Sequence, residues 1–451
     1  MISRSLGGLR IAAAAAALAV VLAVPSAAQT PFFSGVTHYT LKNGLTVILH
    51  DHPDLPIVTV AVGYNAGSIH EKPGKTGVSY LLEKLMMTAG SANVSPLEHI
   101  SSINRVGGTL NANALEDQTL YYQTIPSNHL ALALWLESDR MRTLDLSRDK
   151  FEKARLDLLE ELRNRKASEP YLNSLQMFDE LLFSDFSFGH SLLGEEADVR
   201  RLTLDDVRSF YDSLYTPSNA VLCISGQFNP GRVRELVARY FESLPAAKPP
   251  AGGFEAPSYL KAPFSRTIED PLASAPAVFL GFRLSTPGSS DAPILTLLDF
   301  LLLRGRTSRL NRRLLNREAK IAFQLTGGID QRFDRSAFKI FIVASQPQIQ
   351  GCFDAVFSEL EKIKRSFPSE AEIGRAKMLY RQDFLNRTAT SLDRALFLIQ
   401  SYWSLRAAGR TMDVLEWETE RVLRVTSAQI VAIVNRYFTL DNCIILNIRM
   451  K

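Results

Sequence analysis

Two distant stretches of the chain repeat the same local pattern, and that repeat restricts the fold more than any other feature. Thr203-Leu-Asp-Asp-Val-Arg-Ser-Phe-Tyr runs into Tyr215-Thr216-Pro217-Ser218-Asn219. Thr426-Ser-Ala-Gln-Ile-Val-Ala-Ile-Val runs into Phe438-Thr439-Leu440-Asp441-Asn442. Each is a helical period followed by an apolar strand, at 220–225 and at 443–448. Between them, residues 245–253 read Pro-Ala-Ala-Lys-Pro-Pro-Ala-Gly-Gly, a composition suited to an exposed linker. The chain is therefore expected to be a duplicated unit: a first domain over 29–244, a linker over 245–263 and a second domain over 264–451.

Periodicity fills in the two units. Residues 37–41 and 46–50 flank Asn43-Gly44, a hairpin signal. Strands are expected at 56–66, 109–114 and 118–124, and helices at 96–106, 129–142, 148–166, 171–182 and 204–214. The second unit repeats strands at 277–284, 323–329 and 338–344. Its helices fall at 292–303, 308–317, 349–365, 370–385 and 392–405. The fold class is α+β, two duplicated domains, each a mainly antiparallel sheet with helices packed on one face.

The stretch that carries chemistry is 77–87, Gly-Val-Ser-Tyr-Leu-Leu-Glu-Lys-Leu-Met-Met. Val78, Leu81, Leu82, Leu85 and Met86 form an apolar stripe at helical spacing, while Tyr80, Glu83, Lys84 and Met87 share the other side. An inverted zinc-peptidase helix reads H-x-x-E-H, two imidazoles on the metal and a carboxylate to activate water. Here the same frame reads Tyr80-x-x-Glu83-Lys84. Both imidazoles are replaced and the carboxylate remains.

The ordered set around this helix resembles the insulinase/pitrilysin family of zinc peptidases, in its bacterial and mitochondrial processing-peptidase-like branch. The set comprises Leu41-Lys42-Asn43-Gly44-Leu45-Thr46-Val47, Gly67-Ser68 with Glu71, and Gly107-Gly108-x-x-Asn111-Ala112. It continues with Asp117-x-Thr119-x-Tyr121, Glu160-Glu161 and Tyr215-x-Pro217-x-Asn219-Ala220. The resemblance implies a clamshell half, and it implies that the third zinc ligand falls at Glu161, 77 positions after Lys84. A supporting family glutamate is replaced by Ala154. Of five functional positions, Glu83 and Glu161 keep their carboxylates, whereas Tyr80, Lys84 and Ala154 do not.

Zinc takes about four ligands from Cys, His or carboxylate. One carboxylate ligand does not hold it, and a lysine ammonium offers no lone pair. The expectation is that this chain carries no metal and that Lys84 pairs with Glu161 in its place. Zinc is expected instead in a homologous peptidase subunit that forms a heterodimer with this chain around an unfolded peptide. Two alternatives stand beside this: a scaffold or peptide-binding protein without a protease partner, and a metallopeptidase with a rearranged metal site. Asn111, Ala112 and Asn113 resemble the family's edge strand that pairs with an extended peptide. The resemblance also places Phe323 near the position where many family members carry a Tyr that helps hold substrate.

Residues 1–28 read as a secretory signal peptide, with Arg4, Arg10, an apolar run over 11–24 and Pro-Ser-Ala-Ala before the cut. A periplasmic or secreted protein with no lasting membrane anchor is expected. The formal charge of +4 falls to +2 without the two leader arginines, which excludes a nucleic-acid field. Cys223, Cys352 and Cys443 read as core residues rather than a disulfide framework. His50 and His52 flank Asp51 and read as solvent-facing neighbours or a metal clip, and His190 as part of a structural turn. The arginine-rich run over 304–320 reads as a solvated helix face or a contact for an acidic partner.

Overall fold

The structure, a computed structural model, describes residues 35–53, 55–247, 263–316 and 321–451. The expected leader and most of the expected linker lie outside the described residues. All described residues belong to one compact unit.

The first half runs β1 Val36–Thr40, β2 Thr46–Asp51, β3 Ile57–Tyr64, α1 Val78–Thr88, α2 Pro96–Arg105, β4 Thr109–Ala114 and β5 Thr119–Pro126. It continues α3 Leu130–Thr143, α4 Arg148–Ser168, α5 Leu172–Phe183, α6 Phe186–Gly189, α7 Glu196–Arg201, α8 Leu204–Leu214, β6 Ala220–Gly226 and α9 Pro230–Phe241. The second half runs β7 Phe264–Asp270, β8 Ala277–Arg283, α10 Ala292–Leu302, α11 Arg309–Leu314, β9 Gln324–Arg332 and β10 Arg335–Val343. It ends α12 Ile349–Arg365, α13 Glu370–Asn386, α14 Ser391–Ala407, α15 Leu415–Arg424, α16 Ser427–Tyr437 and β11 Cys443–Met450.

The strands form two sheets, in orders β1-β2-β6-β3-β5-β4 and β7-β11-β8-β10-β9. Apart from β1 the two orders match strand for strand. Each has one parallel pair, β2 with β6 and β7 with β11, among antiparallel neighbours. The sequence repeat recurs as bonding. The Asn219 amide donates to the Leu214 and Asn65 carbonyls, and the Asn442 amide to those of Tyr437 and Arg283.

Side-chain alternation explains how both faces of each sheet are covered. In β3, Val58, Val60, Val62 and Tyr64 face the helices of their own half. The opposite face carries Thr59, whose hydroxyl meets Ser391 of α14 at 2.9 Å, and Gly63, where a Cβ would lie 2.4 Å from Ile399 of α14. In β8, Phe282 packs on Phe438 and Phe357 of its own half. Phe279 stacks on Phe178 of α5 at 4.9 Å, and a Cβ at Gly281 would meet Leu182 at 2.7 Å. Each half thus lends one helix to the other half's sheet. Each borrowed helix comes close because a glycine sits beneath it.

β7, α7, α9 and α15 were not expected from periodicity. The helix expected over 308–317 ends at Leu314. Its arginines do not form one solvated face: Arg309 is largely buried against Glu372 and Glu359, while Arg306, Arg312 and Arg313 are exposed. The three cysteines are free and buried.

Candidate functional site

The site is set by how α1 begins. Gly77 adopts φ +87°, and a Cβ there would lie 2.8 Å from the Leu193 carbonyl, so only glycine fits the turn. The N-terminal amides of α1 are capped by the buried Glu71 carboxylate. It accepts from Gly77 N and Ser79 N, both at 2.8 Å, and from the Ser79 hydroxyl at 2.7 Å. A carboxylate at a helix N-terminus satisfies orphan amides and meets the positive end of the dipole. His190 Nε2 lies 3.0 Å from the same carboxylate, and its Nδ1 is 2.5 Å from the Phe186 carbonyl. Hydrogen bonding to Glu71 overcomes the burial that lowers the ring's basicity, leaving His190 with a raised pKa. Sequence reasoning missed this support. Its signal was present: a lone Glu seven positions before the helix, whose N-cap position is a glycine with no side chain to cap it.

With α1 fixed, its polar side meets α4. Tyr80 Oη donates to Glu161 Oε1 at 2.8 Å, and Lys84 Nζ lies 2.6 Å from Glu161 Oε2. The expected Lys84–Glu161 pair is therefore in place, with both side chains 27% exposed. Burial works to raise the Glu161 carboxyl, but the hydrogen bonds from Lys84 and Tyr80 outweigh it and hold the pKa down. The Tyr80 phenol is pushed up by burial and by its bond to Glu161. Glu83 is raised by burial, with Lys84 opposing. Ala154 is buried two helical turns before Glu161, in the core cluster behind the site.

A second buried layer underlies α1. Arg140 pairs with Glu137 at 2.5 Å, stands 4.5 Å over the Tyr121 ring, and directs Nη1 at the Met87 sulfur at 3.5 Å. The Gln123 amide also donates to Glu137 at 2.9 Å. Its sequence signal was a run of charges, Glu137-Ser-Asp-Arg140, following the wholly apolar start of the helix, Leu130–Leu136.

β4 packs along α1 and forms the edge of its sheet. Asn111 and Asn113 are exposed and alternate with the half-buried Ala112. Phe323 lies elsewhere, immediately before β9 of the second sheet, 60% exposed. The structure thus gathers Tyr80, Glu83, Lys84 and Glu161, with the 111–113 strand alongside, and leaves Phe323 apart. His50 is buried, and Ser225 contacts both His50 and His52, so the pair does not simply face solvent.

The residues present do not fit a zinc ion. At the two imidazole positions stand a hydroxyl that donates its proton to Glu161 and an ammonium already bound to it. Among the described residues no group of three His, Cys, Asp or Glu side chains could hold a metal.

Residues 46–195 match the family model described as insulinase (peptidase family M16), and residues 201–380 match that of the peptidase M16 inactive domain. The zinc protease PqqE of Helicobacter pylori is 28% identical over 364 residues, 79% of this chain and 81% of that protein. A protease from Helicobacter pylori of known crystal structure has a TM-score of 0.84 at 24% identity, covering 92% of this chain and 99% of that one. The periplasmic protease PqqL of Escherichia coli has a TM-score of 0.74 at 17% identity, with 92% of this chain matching 47% of that one.

Proposed function

Because the chain belongs to the insulinase-type M16 peptidase family, we propose that it is the non-catalytic member of a two-subunit zinc peptidase. A homologous partner holds the zinc, and this chain supplies half of the wall around an unfolded peptide, in the periplasm after removal of its leader. The observation that carries the reading is Lys84 on Glu161 at 2.6 Å. A fixed ammonium stands where the family resemblance puts a metal ligand, so the surviving carboxylate is neutralised without a metal. Stripping one partner from such a pair leaves a charge partly out of water, which is costly. The match of this chain to about half of PqqL, a protein of roughly twice its length, supports a paired arrangement. The exposed β4 edge beside α1 supports peptide capture by strand addition, which needs no metal.

Zinc content of the purified mature chain tests the reading. The expected result is no stoichiometric zinc in the wild type and about one per chain in the Tyr80→His/Lys84→His variant, where Glu161 completes three ligands. One zinc per wild-type chain overturns the reading in favour of a rearranged metal site. If zinc is absent and no peptidase homologue co-purifies from the native host, the scaffold reading replaces it.

A further inference from the structure

The duplicated architecture places a second cavity where the first half already has one. In the first half, α1, α4, α5 and the turn after β4 enclose about 330 Å³ beside Tyr80. In the second half, α10, α13, α14, α15 and the end of β9 line an open cavity of about 280 Å³. The correspondence goes down to single residues. Gly63 and Gly281 face the matching central-strand residues Val221 and Ile444, and across the sheets lie Leu120 and Lys339. Phe178 and Trp403, on the two borrowed helices, reach those paired glycines. Each glycine is approached by two residues one turn apart, Phe178 and Leu182 at Gly281 and Ile399 and Trp403 at Gly63; matched in chain order, they place Asp179 of the first cavity opposite Gln400 of the second.

The chemistry differs where the geometry does not. The first cavity is lined by carboxylates, Glu116 and Asp179, together with Arg165 and Lys166. The second has a single charged residue, Arg387, whose guanidinium is bonded to Asp383 at 2.7 Å. Its floor is aromatic, with Phe384 1% exposed and Tyr380 5% exposed. The Tyr380 hydroxyl is spent on the Thr419 carbonyl at 3.3 Å. Uncharged Gln331, Gln400 and Ser404 form the rim.

We propose that this second-half cavity is a subsite for one aromatic or large aliphatic side chain of an extended peptide, resting on the peptide-chamber reading above. At about 280 Å³ the cavity is at the small end of ligand pockets, which span ~300–1,000 Å³, and has room for one large side chain. The rim residue Gln331 belongs to β9, which forms the open end of its sheet order. A peptide backbone laid along that edge delivers alternate side chains to one face at a fixed spacing. A neutral aromatic floor selects an apolar side chain and rejects a charged one, which would lose its hydration without a partner.

The test uses the full mature chain and two fluorescent, unfolded polar peptides that differ only in one central residue, Phe or Ser. The Phe peptide is expected to bind about tenfold tighter, the effect of burying one such side chain. Ser404→Phe, which fills the cavity, and Gln400→Trp, which covers its mouth from an exposed position, are expected to abolish the preference while leaving the Ser peptide unchanged. A preference that survives both variants, or is lost instead in Leu175→Trp of the first cavity, overturns the proposal. If neither peptide binds, the chamber reading fails. N-acetylphenylalaninamide binding, detected by protein NMR, then decides the cavity alone: shifts at the floor residues in the wild type, absent in Ser404→Phe, uphold it, and no shifts sink it.

Discussion

The two borrowed helices do the same mechanical job with opposite chemistry. α5 lies on the second sheet through a stacked Phe178–Phe279 pair and a buried ionic cluster. In that cluster Asp179 meets Arg332 and Lys339 at 2.5 Å each, and Arg332 is 4% exposed and 4.3 Å above Phe183. α14 lies on the first sheet through neutral contacts, Ser391 on Thr59 at 2.9 Å and Tyr402 on Thr46 at 3.0 Å, around Ile399 and Trp403. The crossing is fixed in both cases by a glycine in the corresponding strand, Gly63 in β3 and Gly281 in β8. The polar layer above it has been free to diverge. Close packing is the invariant of this architecture, and charge is the variable.

Breaking the ionic side should cost most. Arg332→Met leaves Asp179 and Asp330 facing Lys339 alone, and removing one partner of a buried charge cluster costs about 3–5 kcal/mol. Urea unfolding should show that loss, whereas Ser391→Ala on the neutral side should change little. The packing rule is tested next by Gly63→Val and Gly281→Val. Overpacking at each should cost about 3 kcal/mol, because Ile399 and Leu182 would be met well inside contact distance. If only one of the pair destabilises the fold, the claim that glycine sets both crossings is wrong.

The smallest effect is expected at the seam between the halves, where Asp117 accepts the Phe333 amide at 2.9 Å. Burial raises the Asp117 carboxyl to about 6. An acid raised in the folded state binds its proton there over a range where the unfolded chain has released it. Stability from this group is thus complete below about pH 4 and is lost as pH rises through about 6. Asp117→Asn should remove that decline and raise stability at pH 7 by about 2 kcal/mol. Denaturation midpoints at pH 4, 6 and 7 check it.

Much of this was legible in the sequence because it is local. The alternation of Val58, Val60 and Val62, the stripe on α1 and the Asn219/Asn442 repeat each follow from residues a few positions apart. The Lys84–Glu161 pair was legible for a different reason: a family resemblance supplied the long-range spacing. What periodicity could not supply was the partner of a face. Phe178, Leu182 and Phe183 mark α5 as apolar, but nothing near them says that they rest on β8 and β11 rather than on their own sheet. β7, Phe-Ser-Arg-Thr-Ile-Glu-Asp, escaped notice because it is a charged edge strand paired on one side only. Glu71 and His190 were each visible, and their meeting across the fold was not.

The loan of helices between halves also orders events in time. When the first sheet's last strand, β6, leaves the ribosome, the helix that shields its second face has still to be made, more than 160 residues further on. Until Ser391–Ala407 emerges, Thr59, Ala61 and Gly63 line a bare surface, and the nascent chain remains an incomplete body open to chaperones. Such late, long-range closure slows folding. The proposed export of this chain would gain by it, because a chain that cannot finish folding until its end is made stays threadable until then.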